Sequence, residues 1–259
     1  MPELRSATVF GRKIRYYDLG SGPSLVLIHG IGGDADDWAF RLQALSASHR
    51  VIALDLLGFG RSDKPLIDYS IASFVEALKR FLRTLPIEPT TLIGGSLGGW
   101  IAAAFALRFP EAVDKLVLID SAGITEGATD LPVDLHISTC AHMREVFEQL
   151  FYDKTLATDD LIDLAYRQHL ERGDGYTIHS VLQNLRSGRE RLDEKIAGLR
   201  IPTLIVWGEQ DAMIPVGTAW RLHQLIRNSR LEVIPECGHL PALEKPAEFV
   251  RCVLDFLAR

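Results

Sequence analysis

Short apolar runs at residues 25–28, 51–54, 90–95, 115–120, 203–207 and 231–234 alternate with helix-patterned segments along most of the chain. Continuous apolar runs of this length suit strands that are buried on both faces, as in a parallel sheet sandwiched between helices. Between them, Ile71, Phe74, Val75, Leu78, Phe81, Leu82 and Leu85 recur at helical spacing. Segments 37–45, 97–109, 217–227 and 247–257 supply the other covering helices, and residues 9–18 read as a hairpin turning at Gly11-Arg12. The pattern predicts an α/β chain with a mostly parallel, twisted sheet and helices on both faces.

From about 123 to 190 the rhythm breaks. Two helical patterns stand out there, one presenting Met143, Val146, Phe147, Leu150 and Phe151, the other Leu161, Ile162, Leu164 and Ala165. The expected organisation is therefore one core built from 1–122 and 191–259, with a helical lid inserted at 123–190. At 259 residues, one core of this kind is near the upper size for a single domain.

A parallel sheet gathers its ligand-binding residues just beyond the carboxyl ends of its strands. Taken in order, those positions hold His29-Gly30-Ile31, Asp55, Ser96, Asp120, the run from Trp207 to Asp211, and Gly238-His239. One end of the sheet thus collects a serine, carboxylates and two histidines. Ser96 lies in Gly94-Gly95-Ser96-Leu97-Gly98, between a strand-like run and a long alanine-rich one. A serine on so sharp a strand-to-helix corner presents its hydroxyl outward. That hydroxyl is a weak nucleophile until a base and an orienting acid reach it, and His239 and Asp211 are the candidates. Asp120, which also ends a strand, competes for the acid's place and reads better as a loop-pairing residue. His29 and the 55–62 stretch read as bracing, and Asp34, Asp36 and Asp37 as helix caps rather than a metal cluster. His136, His142, His169 and His179 are expected on solvated faces.

The order Ser96, Asp211, His239 is that of the α/β-hydrolases. The chain resembles this superfamily, and in particular its small lidded serine esterases, at His29-Gly30, residues 55–65, 94–99, Trp207-Gly208 with Asp211, and Gly238-His239 with Glu244 and Pro246. The resemblance implies Ser96 as nucleophile, His239 as base and Asp211 as acid. It implies an oxyanion hole at the amides of Ile31 and Leu97, and a pocket lined by Gly30, Gly95, Met213 and Leu240. The reaction implied is carboxylic ester cleavage through an acyl-enzyme. Related C–C bond hydrolases of vinylogous diketo acids share the Gly58-to-Lys64 stretch. They carry Asn before the serine and a large aromatic after the histidine, where this chain has Gly95 and Leu240. Acyl transfer and perhydrolysis are further outcomes of the same chemistry. Dehalogenases and epoxide hydrolases need an aspartate where Ser96 stands, and a silent binding protein of this fold would be expected to lack a member of the triad.

Composition narrows the partners. A net charge of −6 offers no basic surface for nucleic acid or an anionic membrane. Three scattered cysteines make no disulfide framework, and no metal-ligand spacing or cofactor motif occurs. Arg12, Lys13 and Arg15 interrupt any apolar leader, and no apolar run approaches the ~18 residues of a membrane span. A cytoplasmic enzyme acting on a small-molecule ester, without cofactor or metal, as a monomer or small homo-oligomer, is the expectation.

Overall fold

Strand pairing begins with an antiparallel hairpin, β1 (Arg5–Val9) and β2 (Arg12–Leu19), in which Val9 stands opposite Arg12. The structure is a computed structural model and describes residues 3–87, 89–124 and 132–259. Residues 125–131, part of the expected insertion, lie outside the described residues. β2 also pairs antiparallel with β4 (Arg50–Leu54). All later pairings are parallel, through β3 (Ser24–Ile28), β5 (Thr90–Gly95), β6 (Val113–Ile119), β7 (Thr203–Gly208) and β8 (Ser229–Ile234). Among the described residues one eight-stranded sheet forms, in the order β1-β2-β4-β3-β5-β6-β7-β8.

That order has a functional consequence. The chain leaves β3 toward β4 on one side, then crosses to β5 on the other. Connections diverge at β3 and β5, so a crevice opens beyond their carboxyl ends. The turn after β3 carries Ile31 and the turn after β5 carries Ser96.

Successive strand residues face opposite sides of the sheet. Val26 and Ile28 join one core cluster, while Leu25 and Leu27 join the other. The first face is covered by α2 (Ile71–Leu82), α3 (Leu97–Arg108) and α7 (Gly217–Leu225), the second by α1 (Ala39–Ser46) and α9 (Pro246–Leu257). The Ser70 side chain caps α2 by accepting the Ser73 N–H. Gly98 lets α3 seat directly on β3, for a Cβ there would lie 2.2 Å from the Ile28 carbonyl oxygen.

Among the described residues between β6 and β7 come three α-helices, α4 (Cys140–Leu150), α5 (Asp159–Arg172) and α6 (Gly175–Ser187). The periodicity predicts two. The third begins at Gly175, two residues after Gly173 in the left-handed region, and glycines so placed read in sequence as a loop. Its Ile178, Val181 and Leu182 nevertheless enter the main core. Met143, Phe147 and Phe151 do form one face, packed against Ile162, Leu161, Ala165 and Leu240 in a separate apolar cluster. A short helix, α8 (Pro241–Glu244), precedes α9. Among the described residues no helix is long and apolar enough to cross a membrane.

Candidate active site

Ser96 sits at the corner between β5 and α3 with φ 52° and ψ −117°, a conformation that L-residues adopt only when their surroundings impose it. Its N–H donates to the Ile119 carbonyl at 2.9 Å, and its carbonyl accepts from the N–H groups of Gly99, Trp100 and Ala122. The backbone is therefore pinned on both sides, and the side chain is forced outward toward the turn after β3. A Cβ on Gly30 would stand 3.3 Å from Ser96 Cβ and 3.9 Å from its Oγ. Absence of a side chain at position 30 lets the two turns approach this closely.

The neighbouring turns supply donors. Among the described residues neither the Ile31 N–H nor the Leu97 N–H has a hydrogen-bond acceptor. Leu97 opens α3, where the helix dipole and unsatisfied N–H groups favour negative charge. The His29 ring braces this region. Its Nε2 accepts the Leu56 N–H at 3.0 Å, so Nδ1 carries the hydrogen and donates to the Gly30 carbonyl at 2.7 Å.

On the far side of the crevice, Asp211 follows β7 and His239 follows β8. Both are buried, and His239 Nδ1 lies 2.8 Å from Asp211 Oδ2. Asp211 Oδ1 accepts the N–H groups of Met213 at 2.8 Å and Ile214 at 3.0 Å. With one oxygen held by the backbone, the other is aimed at the imidazole. Nδ1 donates to it, which leaves the Nε2 lone pair free to act as a base. No hydrogen bond joins the Ser96 hydroxyl to His239 in this state; such bonds commonly tighten only with substrate in place. Asp120 accepts the Gly208 N–H at 2.9 Å and so ties β6 to β7, the loop-pairing role expected for it.

The other expected pocket residues divide. Leu240 packs on the apolar cluster of the insertion. Met213 is buried in the main core. Gly95 is uncrowded, for a Cβ there meets only the Ile119 carbonyl oxygen at 4.0 Å.

Residues 23–186 and 153–246 match the family defined by the alpha/beta hydrolase fold. The chain belongs to the α/β-hydrolase family. It is 36% identical over 259 residues to a 2-hydroxy-6-oxo-2,4-heptadienoate hydrolase of Pseudomonas putida, covering 96% of this chain and 94% of that one. A solved structure of the meta-cleavage product hydrolase CumD of Pseudomonas fluorescens superposes with TM-score 0.86 at 30% identity, over 98% of this chain and 97% of the other. An esterase of Exiguobacterium antarcticum superposes with TM-score 0.87 at 25% identity, over the whole of both chains.

Around the site, this α/β-hydrolase is braced by carboxylates that act on the backbone. Asp55 accepts the N–H groups of Ala35 at 2.8 Å and Arg61 at 2.7 Å, while burial pushes its carboxyl above the usual range. Asp34 and Asp37 form a reciprocal cap on the turn before α1, as expected of helix-capping carboxylates. Histidines of the insertion are less uniform than expected. His136 and His179 face one another at 3.2 Å, and His169 is mostly buried, 3.7 Å from Asp174.

Two ties between insertion and core have no periodic signature in the sequence. Arg172, at the end of α5, donates to Asp34 at 2.5 Å and to the Gly32 carbonyl at 3.2 Å, gripping the turn beside Ile31. Glu244 accepts the N–H groups of Gly238 at 2.7 Å, Tyr152 at 2.8 Å and Asp153 at 3.3 Å. Next to it, the His239 N–H donates to the Leu150 carbonyl at 2.7 Å. Glu244 thus fastens the end of α4 to the histidine loop. In Glu244→Gln an amide NH₂ must face at least one of these N–H donors. The expected cost is about 1–3 kcal/mol in urea unfolding; an unchanged midpoint would show that the fastening carries no stability.

Proposed function

We propose that this α/β-hydrolase cleaves carboxylic esters through an acyl-enzyme, with Ser96 as nucleophile, His239 as base and Asp211 as orienting acid. Ser96 Oγ forms a bond to the ester carbonyl carbon as its proton passes to His239 Nε2. The carbonyl oxygen gains the electron pair and is held by the N–H groups of Ile31 and Leu97. Collapse of this intermediate breaks the bond to the leaving oxygen, which takes the proton from His239. Water then repeats the cycle on the acyl-enzyme and releases the acid. The observation that carries the reading is the buried 2.8 Å bond between His239 and Asp211, which fixes the tautomer a base requires.

The helical insertion, residues 123–190, serves in this reading as a lid. Its Met143, Phe147 and Phe151 face, continuous with Leu240, would border an apolar acyl pocket together with Gly30, Gly95 and Met213. A second reading, C–C cleavage of a vinylogous diketo acid, is favoured by the relative from Pseudomonas putida. Two features weigh for esters. Gly95 and Leu240 stand where those hydrolases carry Asn and a large aromatic. Moreover, Arg172, the insertion cation that reaches the Ile31 turn, is already committed to Asp34 and Gly32, which leaves it poorly placed to take up a substrate carboxylate.

Nitrophenyl esters of rising acyl length, run beside a diketo-acid substrate, separate the two readings. The expected result is a higher kcat/KM for the esters, with an organophosphonate adding covalently at Ser96. Faster turnover of the diketo acid would replace ester cleavage by C–C cleavage. Labelling at another residue, with turnover intact, would remove both.

A further inference from the structure

Asp120 is 1% exposed and follows β6, the strand that pairs with β7, after which Asp211 comes. Polar atoms of Asp120, Asp211 and His239 all lie within 4.8 Å of one another. Asp120 Oδ1 accepts the Gly208 N–H at 2.9 Å, whereas Oδ2 is buried without a donor among the described residues. Two ionised carboxylates this close repel, and neither can donate to the other. One proton placed between them removes the repulsion and gives the orphaned oxygen a partner.

The surroundings decide which carboxyl carries it. Both oxygens of Asp211 already accept, Oδ1 from two backbone N–H groups and Oδ2 from the Nδ1–H of His239. Asp120 has a single backbone donor. We propose that Asp120 keeps a proton at working pH and donates it from Oδ2 to the Asp211 carboxylate, acting as a positioning residue for the Asp211–His239 pair. Burial first, and then the charge of Asp211, hold the Asp120 carboxyl well above the usual carboxylate range. Titratable groups near it also include His239, Glu244 and Cys237. Glu244 adds further negative potential, and burial keeps the Cys237 thiol protonated. The pair thus carries one negative charge, set against the single positive charge that His239 acquires during turnover. This inference rests on the triad reading above.

Asparagine is the isostere of a protonated aspartate: its carbonyl oxygen accepts the Gly208 N–H while its NH₂ donates to Asp211. Rescue is therefore the test. Asp120→Ala is expected to lower kcat about tenfold to a hundredfold through misplacement of Asp211. It should also move the acid limb of the kcat/KM profile to higher pH, because Asp211 loses a donor and attracts the imidazolium more strongly. Asp120→Asn should restore both. Isotope-edited infrared difference spectra of wild type against Asp120→Asn, a readout independent of turnover, should show a protonated carboxyl C=O stretch at neutral pH that is lost in the variant. An ionised Asp120 in those spectra, or an asparagine variant as impaired as the alanine one, would overturn the proposal. Failure of the organophosphonate to label Ser96 would instead remove the triad reading and leave the infrared result standing.

Discussion

Ser96→Ala is expected to lower kcat on a nitrophenyl ester by about 10⁶-fold, the scale seen when the nucleophile of a serine triad is removed. At 1.36 kcal/mol per decade this is about 8 kcal/mol of barrier. The folded state should barely notice, since the Ser96 hydroxyl makes no hydrogen bond to a described residue and alanine keeps a Cβ at φ 52°. A companion variant makes the argument sharper. Ser96→Gly removes the Cβ that makes this conformation costly, and strain of this kind is worth about 1–3 kcal/mol. The glycine variant should therefore unfold at higher denaturant than the wild type while being equally inactive. Loss of activity together with loss of stability in both variants would show that Ser96 holds the corner rather than doing chemistry.

The second large effect is at Asp211, where asparagine is expected to lower kcat by about 10⁴-fold. The reason lies in the backbone. The Met213 and Ile214 N–H groups can donate only to an oxygen at the Oδ1 place, so the asparagine NH₂ must take the place of Oδ2. A donor then faces His239 Nδ1, which can only accept, and the imidazole hydrogen moves to Nε2. The base is left with no lone pair toward the serine. Asp120→Asn, by contrast, replaces a donor with a donor. If asparagine at 120 proved the more damaging of the two, the acid would be Asp120 and the assignment would be reversed.

The sequence revealed those parts of the molecule whose signals are local or periodic. Strands such as β3 and β7 are buried on both faces, so they read as unbroken apolar runs ended by a polar residue. Ser96 was legible because a strand, a glycine-rich corner and a helix lie within a few residues of it. The third helix of the insertion was not, since glycines flank its start and its core-facing Ile178, Val181 and Leu182 are outnumbered by polar neighbours. Arg172 with Asp34, and Glu244 with Tyr152, join positions far apart in the chain, and no spacing rule connects them. The same holds for Asp120: residue order made it a rival to Asp211, and only the fold placed the two carboxyls together.

The seam at Leu150, Tyr152 and Asp153 also bears on how the helical segment could be exchanged among relatives. A graft beginning at 154 would keep the carbonyl from which His239 hangs and the amides that Glu244 holds. One beginning at 140 would import a foreign main chain against the His239 backbone, and every such chimera would have to rebuild that support before its new pocket could matter.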